Sequence, residues 1–153
     1  MSMLPPDLRA LDDALIALRR LWLHPARRRR FLAELGEPIE LATLRTLRAI
    51  DLAGGDEPSV GDVAAALVVD ASTASRLVDQ AVSGGYVSRR PSPSDRRRSV
   101  LELTTEGADV LERATKVRER LLAEVTADWP AEDVATLAAL LQRLHHDFER
   151  LDA

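Results

Sequence analysis

The sequence predicts a mainly α-helical fold carrying one small β-hairpin, and three observations predict it. Both ends of the chain place apolar residues at alternating three- and four-residue spacings, the period of an amphipathic helix. The middle is divided by glycine and proline into short amphipathic segments. Two five-residue runs, "YVSRR" and "SVLEL", read as strands on either side of a loop rich in proline and arginine, "PSPSDRRR".

The first element follows from Leu8, Leu11, Leu15, Leu18 and Trp22, a helical seam opened by Pro5-Pro6 and interrupted by Pro25. "GEPIELATLRTLRAIDLAGG" reads as one helix ending at Gly54-Gly55. "PSVGDVAAAL" then opens with a capping signature, Ser59 followed three residues later by Asp62. After the link "VVDA" comes "STASRLVDQAVSGG", a helix stopped by Gly84-Gly85. The two strands follow. A long helix begins near Thr104 with Val110, Ala114, Val117 and Leu121 on one face. The last helix starts after Pro130, where Glu132 and Asp133 suit its positive end. It carries Val134, Leu137, Leu141, Leu144, Phe148 and Leu151. Seams at both ends of a short chain need covering, and a second copy covers them more economically than the compact middle does. A homodimer is the expectation.

The 153 residues suit one domain with appended helices, and 46% hydrophobic content suits a globular protein. The net charge of −4 argues on average against a polyanionic partner, but the charge is unevenly spread. Residues 71–100 hold six arginines and two aspartates, a local sum of +4, so the remainder carries −8. A basic patch on an acidic body is the footprint of a protein that touches polyanions at one place. Arginine supplies 20 of the 21 basic residues, so their clustering carries the signal rather than any single one. With no cysteine there is no disulfide or thiolate metal site. The start of the chain lacks the order of a signal peptide, and the longest apolar run, residues 63–69, is too short to span a bilayer. A cytoplasmic protein without a membrane partner is expected.

The order helix, helix, short turn, helix, hairpin is that of a winged helix-turn-helix. On the helix over residues 72–83, Ala74, Leu77, Val78 and Ala81 form the core stripe. Ser72, Arg76, Asp79 and Ser83 lie opposite, with Thr73 and Gln80 beside them. Short hydrogen-bonding side chains around one arginine suit close approach to a major groove, and the helix N-terminus adds positive potential. Asp79 is a poor groove contact and reads as a restraint on Arg76, three residues earlier. Arg89 and Arg90 fall at the end of the first strand and Arg96, Arg97 and Arg98 at the start of the second. Such a tip can enter a minor groove, with Asp95 holding Arg97 rigid.

The stretch from "SVGDVAAAL" to "LTTEGADVL" resembles the multiple-antibiotic-resistance regulator (MarR) family of bacterial transcription factors. "S-T-A-S-R-L-V-D", "G-Y-V-x-R", "D-R-R" and "L-T-x-x-G" carry the resemblance. It implies a winged helix-turn-helix with long N- and C-terminal dimerisation helices. The expected parts are an N-terminal dimerisation helix region at 1–35, the DNA-binding region at 36–104 and C-terminal dimerisation helices at 105–153. It further implies a homodimeric repressor on a near-palindromic double-stranded DNA operator, released by a small aromatic or anionic ligand. Ser72, Thr73, Ser75 and Arg76 become the reading-helix contacts and Asp95 and Arg97 the wing-tip pair. Arg98 departs from the small or aliphatic residues frequent there, which points to heavier backbone contact. "GEPIEL" departs from Leu-Thr, leaving Glu40 as a weaker cap.

Trp22 and Trp129 are the candidates to line a ligand pocket, although a tryptophan on a helical seam also serves as core. "ARRRRF" contains Arg27, Arg28, Arg29 and Arg30, readable as a second phosphate contact or as a solvated helix end. His145 and His146 are adjacent and point about 100° apart on a helix, so they do not make a metal site, with or without His24. No cofactor, metal or enzymatic constellation is expected; the glycines occur as stops and turns. A regulator without a ligand and a winged-helix protein-interaction module are the alternatives, the latter calling for an uncharged or apolar reading face.

Overall fold

The computed structural model describes residues 6–53, 57–93 and 99–151. Among the described residues, seven helices and two strands follow in the order α1 (Pro6–Leu23), α2 (Pro25–Leu35), α3 (Leu41–Leu52), α4 (Val60–Leu67), α5 (Ala71–Ser83), β1 (Val87–Pro91), β2 (Ser99–Leu103), α6 (Thr105–Val125) and α7 (Ala131–Leu151). Pro5, Gly54 and Gly55, expected as helix boundaries, lie outside the described residues. The mainly α fold with one hairpin is as expected.

Two compact units make up the chain, Met1–Val117 and Arg118–Ala153. In the first, α3, α4 and α5 pack on one another and on the hairpin around Leu47, Val63, Ala74, Val78, Ala81 and Leu101, all fully buried. Each such aliphatic side chain contributes about 1.5–3 kcal/mol by leaving water. Val110 and Ala114 of α6 join this core. The hairpin is antiparallel, with Val87 opposite Leu103 and Pro91 opposite Ser99. The Leu101 N–H donates to the Pro58 carbonyl at 2.8 Å, and the buried Ser92 hydroxyl donates to Glu57 Oε2 at 2.8 Å. The centre of β2 and the loop-side end of β1 are thereby anchored to the segment that leads into α4. The second unit holds the end of α6 and α7, and α7 contains no buried residue. Neither does α1.

Local chemistry explains the boundaries. Pro25 does not merely interrupt a helix. His24 leaves the helical conformation and its Nδ1 accepts from the Ala26 N–H at 3.2 Å, so "ARRRRF" belongs to a separate helix. Gly36 closes α2 at φ +70, a left-handed conformation in which a Cβ is strained. Ser59 and Asp62 form the expected capping box, each side chain bonding the other's backbone N–H. Glu40 occupies the cap position of α3, but its side chain makes no capping bond; it accepts instead from Gln80 Nε2 of α5 at 3.2 Å. Thr104 caps α6 by accepting from the Gly107 N–H at 3.0 Å while its hydroxyl donates to the Gly85 carbonyl at 2.7 Å. Gly107 sits so close to the hairpin that a Cβ there would lie 2.0 Å from the Tyr86 carbonyl oxygen. The "L-T-x-x-G" pattern is thus the joint between wing and helix.

Candidate nucleic-acid interface

The α5 helix presents its polar stripe outward. Ala74, Val78 and Ala81 are buried, whereas Ser72, Arg76, Asp79, Gln80 and Ser83 lie on the outer side and Thr73 and Ser75 are half-buried. Helix α5 begins one residue earlier than the periodicity suggests because Asp70 caps it, its carboxylate accepting from the Thr73 N–H at 2.8 Å. The Ser72 hydroxyl donates to Asp70 Oδ1 at 2.5 Å and the Thr73 hydroxyl to Asp70 Oδ2 at 2.7 Å. Those hydroxyls, Ser72 first, then the Thr73 backbone N–H, hold the Asp70 carboxyl far below the usual carboxylate range. The positive end of α5 is therefore already met by a carboxylate, which the sequence reading had left open for a phosphate.

Arg76 is held differently from the expectation. Its Nη2 donates to Thr73 Oγ1 at 3.3 Å, one turn back along the helix. Asp79 pairs instead with Arg89 of β1, Nη2 to Oδ1 at 2.6 Å. The reason is register: Arg89 lies on the strand packed beside α5, and its charge reaches the carboxylate across that contact. Arg90 pairs with Glu102 on β2, Nε to Oε1 at 2.5 Å. Both strand arginines are thus matched by carboxylates of the winged region rather than standing clear of the acidic body. Asp95, Arg96, Arg97 and Arg98 lie outside the described residues.

The remaining candidates are scattered. Trp22 on α1 is 58% exposed and Trp129, before α7, 47% exposed, so neither is buried within the chain. An open cleft at the start of α4 is lined by Ser59, Val60, Gly61, Arg89 and Ser99 and involves neither tryptophan. Arg27, Arg28 and Arg29 are exposed on α2, and Arg30 pairs with Glu34 at 2.8 Å. His145 and His146 both face Glu149, at 3.4 and 3.9 Å. Asp70 is the residue that sequence reasoning passed over, although an aspartate directly before an amphipathic run is a helix-start signal.

A capped reading helix preceded by a tight turn and followed by a hairpin and a long helix defines a winged helix-turn-helix protein. The MarR family model matches residues 38–98. An uncharacterised HTH-type transcriptional regulator of Bacillus subtilis, YdgJ, is 32% identical over 98 residues, 64% of this chain and 60% of the relative. The multiple antibiotic resistance protein MarR of Escherichia coli is 38% identical over 79 residues, 51% of this chain and 55% of the relative. The chain therefore spans somewhat over half the length of these relatives. The crystal structure of wild-type E. coli MarR in its apo form superposes with a TM-score of 0.66 at 27% identity, covering 94% of this chain and 98% of that one. Residues 38–98 therefore resemble the MarR family, and the chain shares the fold of E. coli MarR.

Proposed function

We propose that this chain is a sequence-specific DNA-binding transcription regulator, a homodimeric repressor of a near-palindromic operator in the cytoplasm. The observation that carries the reading is the outward face of α5. Short hydroxyl side chains surround Arg76, and Asp79, the carboxylate nearest along the helix, is drawn away by Arg89. That leaves a guanidinium on an exposed surface, the group that grips guanine O6 and N7 with two bonds. A protein-interaction module would instead present apolar side chains there. Support for the dimer comes from α1 and α7, whose apolar residues are uncovered within the chain. Two copies would set paired reading helices about 34–36 Å apart, matching successive major-groove faces. Ser75 joins the reading set at its half-buried edge. The wing set comprises Arg89, Arg90, Asp95, Arg96, Arg97 and Arg98. Release by a small aromatic or anionic molecule is drawn from the resemblance and would act as a population shift between dimer geometries.

Footprinting on the DNA upstream of the chain's own gene, repeated with a metabolite panel, tests this. The expected result is one protected near-palindrome, with protection lost on adding the effector. In a fluorescence titration on that duplex, Arg76→Ala relaxes preference at one symmetric pair of bases by about 1–3 kcal/mol. Equal loss on every sequence would restrict Arg76 to phosphate contact. Absence of any protected sequence at low and moderate salt would overturn the proposal.

A further inference from the structure

We propose that Asp70 is a positioning residue that fixes the hydroxyls at the start of α5 as hydrogen-bond acceptors toward the groove. The start of α5 then selects base pairs presenting an exocyclic amino group, adenine N6 or cytosine N4. The proposal rests on α5 being the DNA-reading helix and specifies what its first turn reads.

The argument is one of proton counting. An ionised carboxylate only accepts hydrogen bonds, and a hydroxyl has a single proton to give. The Ser72 hydroxyl lies 2.5 Å from Asp70 Oδ1 and the Thr73 hydroxyl 2.7 Å from Oδ2, so both protons point at Asp70. Thr73 Oγ1 also receives Arg76 Nη2, a group that can only donate. Thr73 is thereby a link between Arg76 and Asp70, with one lone pair left. Ser72 is exposed, and its oxygen keeps its lone pairs for a partner outside the chain. The low carboxyl pKa of Asp70 keeps this direction in force throughout the neutral range.

The consequence is selectivity by hydrogen-bond polarity. A phosphate oxygen, guanine O6 or N7, and thymine O4 offer no proton, so an acceptor facing them gains nothing. The amino groups of adenine and cytosine offer one in the major groove. The Asp70 charge also offsets the positive end of the helix, which further disfavours a phosphate at this point. Recognition along α5 is then divided: acceptors at Ser72 for amino groups and a donor at Arg76 for guanine.

The experiment uses the full chain and a pool of randomised duplexes, enriched by binding with wild type, Ser72→Ala and Asp70→Asn. Asparagine still caps a helix, and Asp70→Asn replaces one acceptor oxygen by a donor, freeing a hydroxyl proton for the DNA. Wild type is expected to enrich adenine or cytosine at one symmetric pair. Deleting that amino group, with purine for adenine or 2-pyrimidinone for cytosine, costs wild type about tenfold in affinity and costs Ser72→Ala nothing further. Asp70→Asn loses the amino preference at that pair while still unfolding as one cooperative transition, a change that a merely structural cap would not produce. Should Asp70→Asn fail to fold, the exposed Ser72→Ala and the modified duplexes carry the test alone. An enriched near-palindrome whose amino group matters equally to wild type and Ser72→Ala would overturn the polarity assignment and leave DNA reading intact. Failure of wild type to enrich any duplex would overturn both.

Discussion

The segment from α3 to β2 and the helices α1 and α7 are all patterned with apolar residues, yet the fold treats them oppositely. Leu47, Val63, Val78 and Leu101 are fully enclosed, whereas Leu8, Leu11 and Trp22 on α1 and Leu137, Leu141 and Phe148 on α7 remain in solvent. A helical seam states that a face must be covered; it does not state by what. Single exposed leucines are ordinary, but stripes of them along whole helices mark an interaction surface. The middle of the chain encloses its apolar residues in internal structure, and the two terminal helices leave theirs uncovered, as the proposed dimer requires.

That contrast can be broken most forcefully in the core. Leu47→Ala should lower unfolding free energy by about 2–5 kcal/mol, measured by urea denaturation, because the site is closed on all sides. Leu137→Ala on α7 should act elsewhere, raising the dimer dissociation constant in sedimentation while isolated chains lose little stability. Equal effects of both substitutions on isolated chains would erase the distinction between the regions. Gly107→Ala comes next, since its added methyl meets the Tyr86 carbonyl. A loss of about 1–3 kcal/mol in thermal unfolding is expected from the forced shift of α6 against the wing.

The smallest effect sharpens the comparison from the opposite direction. Val68 joins α4 to α5 at φ 55, unfavourable for a β-branched residue, and is 90% exposed. Val68→Gly relieves strain of about 1–3 kcal/mol but adds about 0.5–1 kcal/mol of unfolded-chain entropy. A net gain of about 1 kcal/mol in denaturant unfolding is expected; a loss would show that the turn imposes no strain. Asp70 contributes a pH dependence to the same turn. Its folded pKa is depressed, so its stabilisation is complete above the ordinary carboxylate pKa and is lost as pH falls through the acid range below it. Asp70→Asn should flatten that acid limb in a melting-temperature profile.

Much of this was legible before the structure, because it is local. The capping box at Ser59, the core stripe Ala74, Val78 and Ala81, with Leu77 only half-buried beside it, and the two strands follow from spacing alone. The partners of charged groups were not legible, because folding chooses them. Asp79 lies three residues from Arg76 in sequence yet bonds Arg89, ten residues away, since β1 returns alongside α5. Glu40 looked like a cap and instead bonds Gln80 across 40 residues. The anchoring of Ser92 by Glu57 spans 35 residues and leaves no periodic trace. Asp70 and His24 were legible as helix starts and were hidden by their position inside apparent linkers.

The reading of two α5 helices on one duplex meets its most direct test in sedimentation equilibrium of the full chain on an enriched DNA fragment. Two chains per duplex, on half-sites about one helical turn apart, is the predicted composition. One chain per duplex, or free DNA at saturating protein, would contradict it.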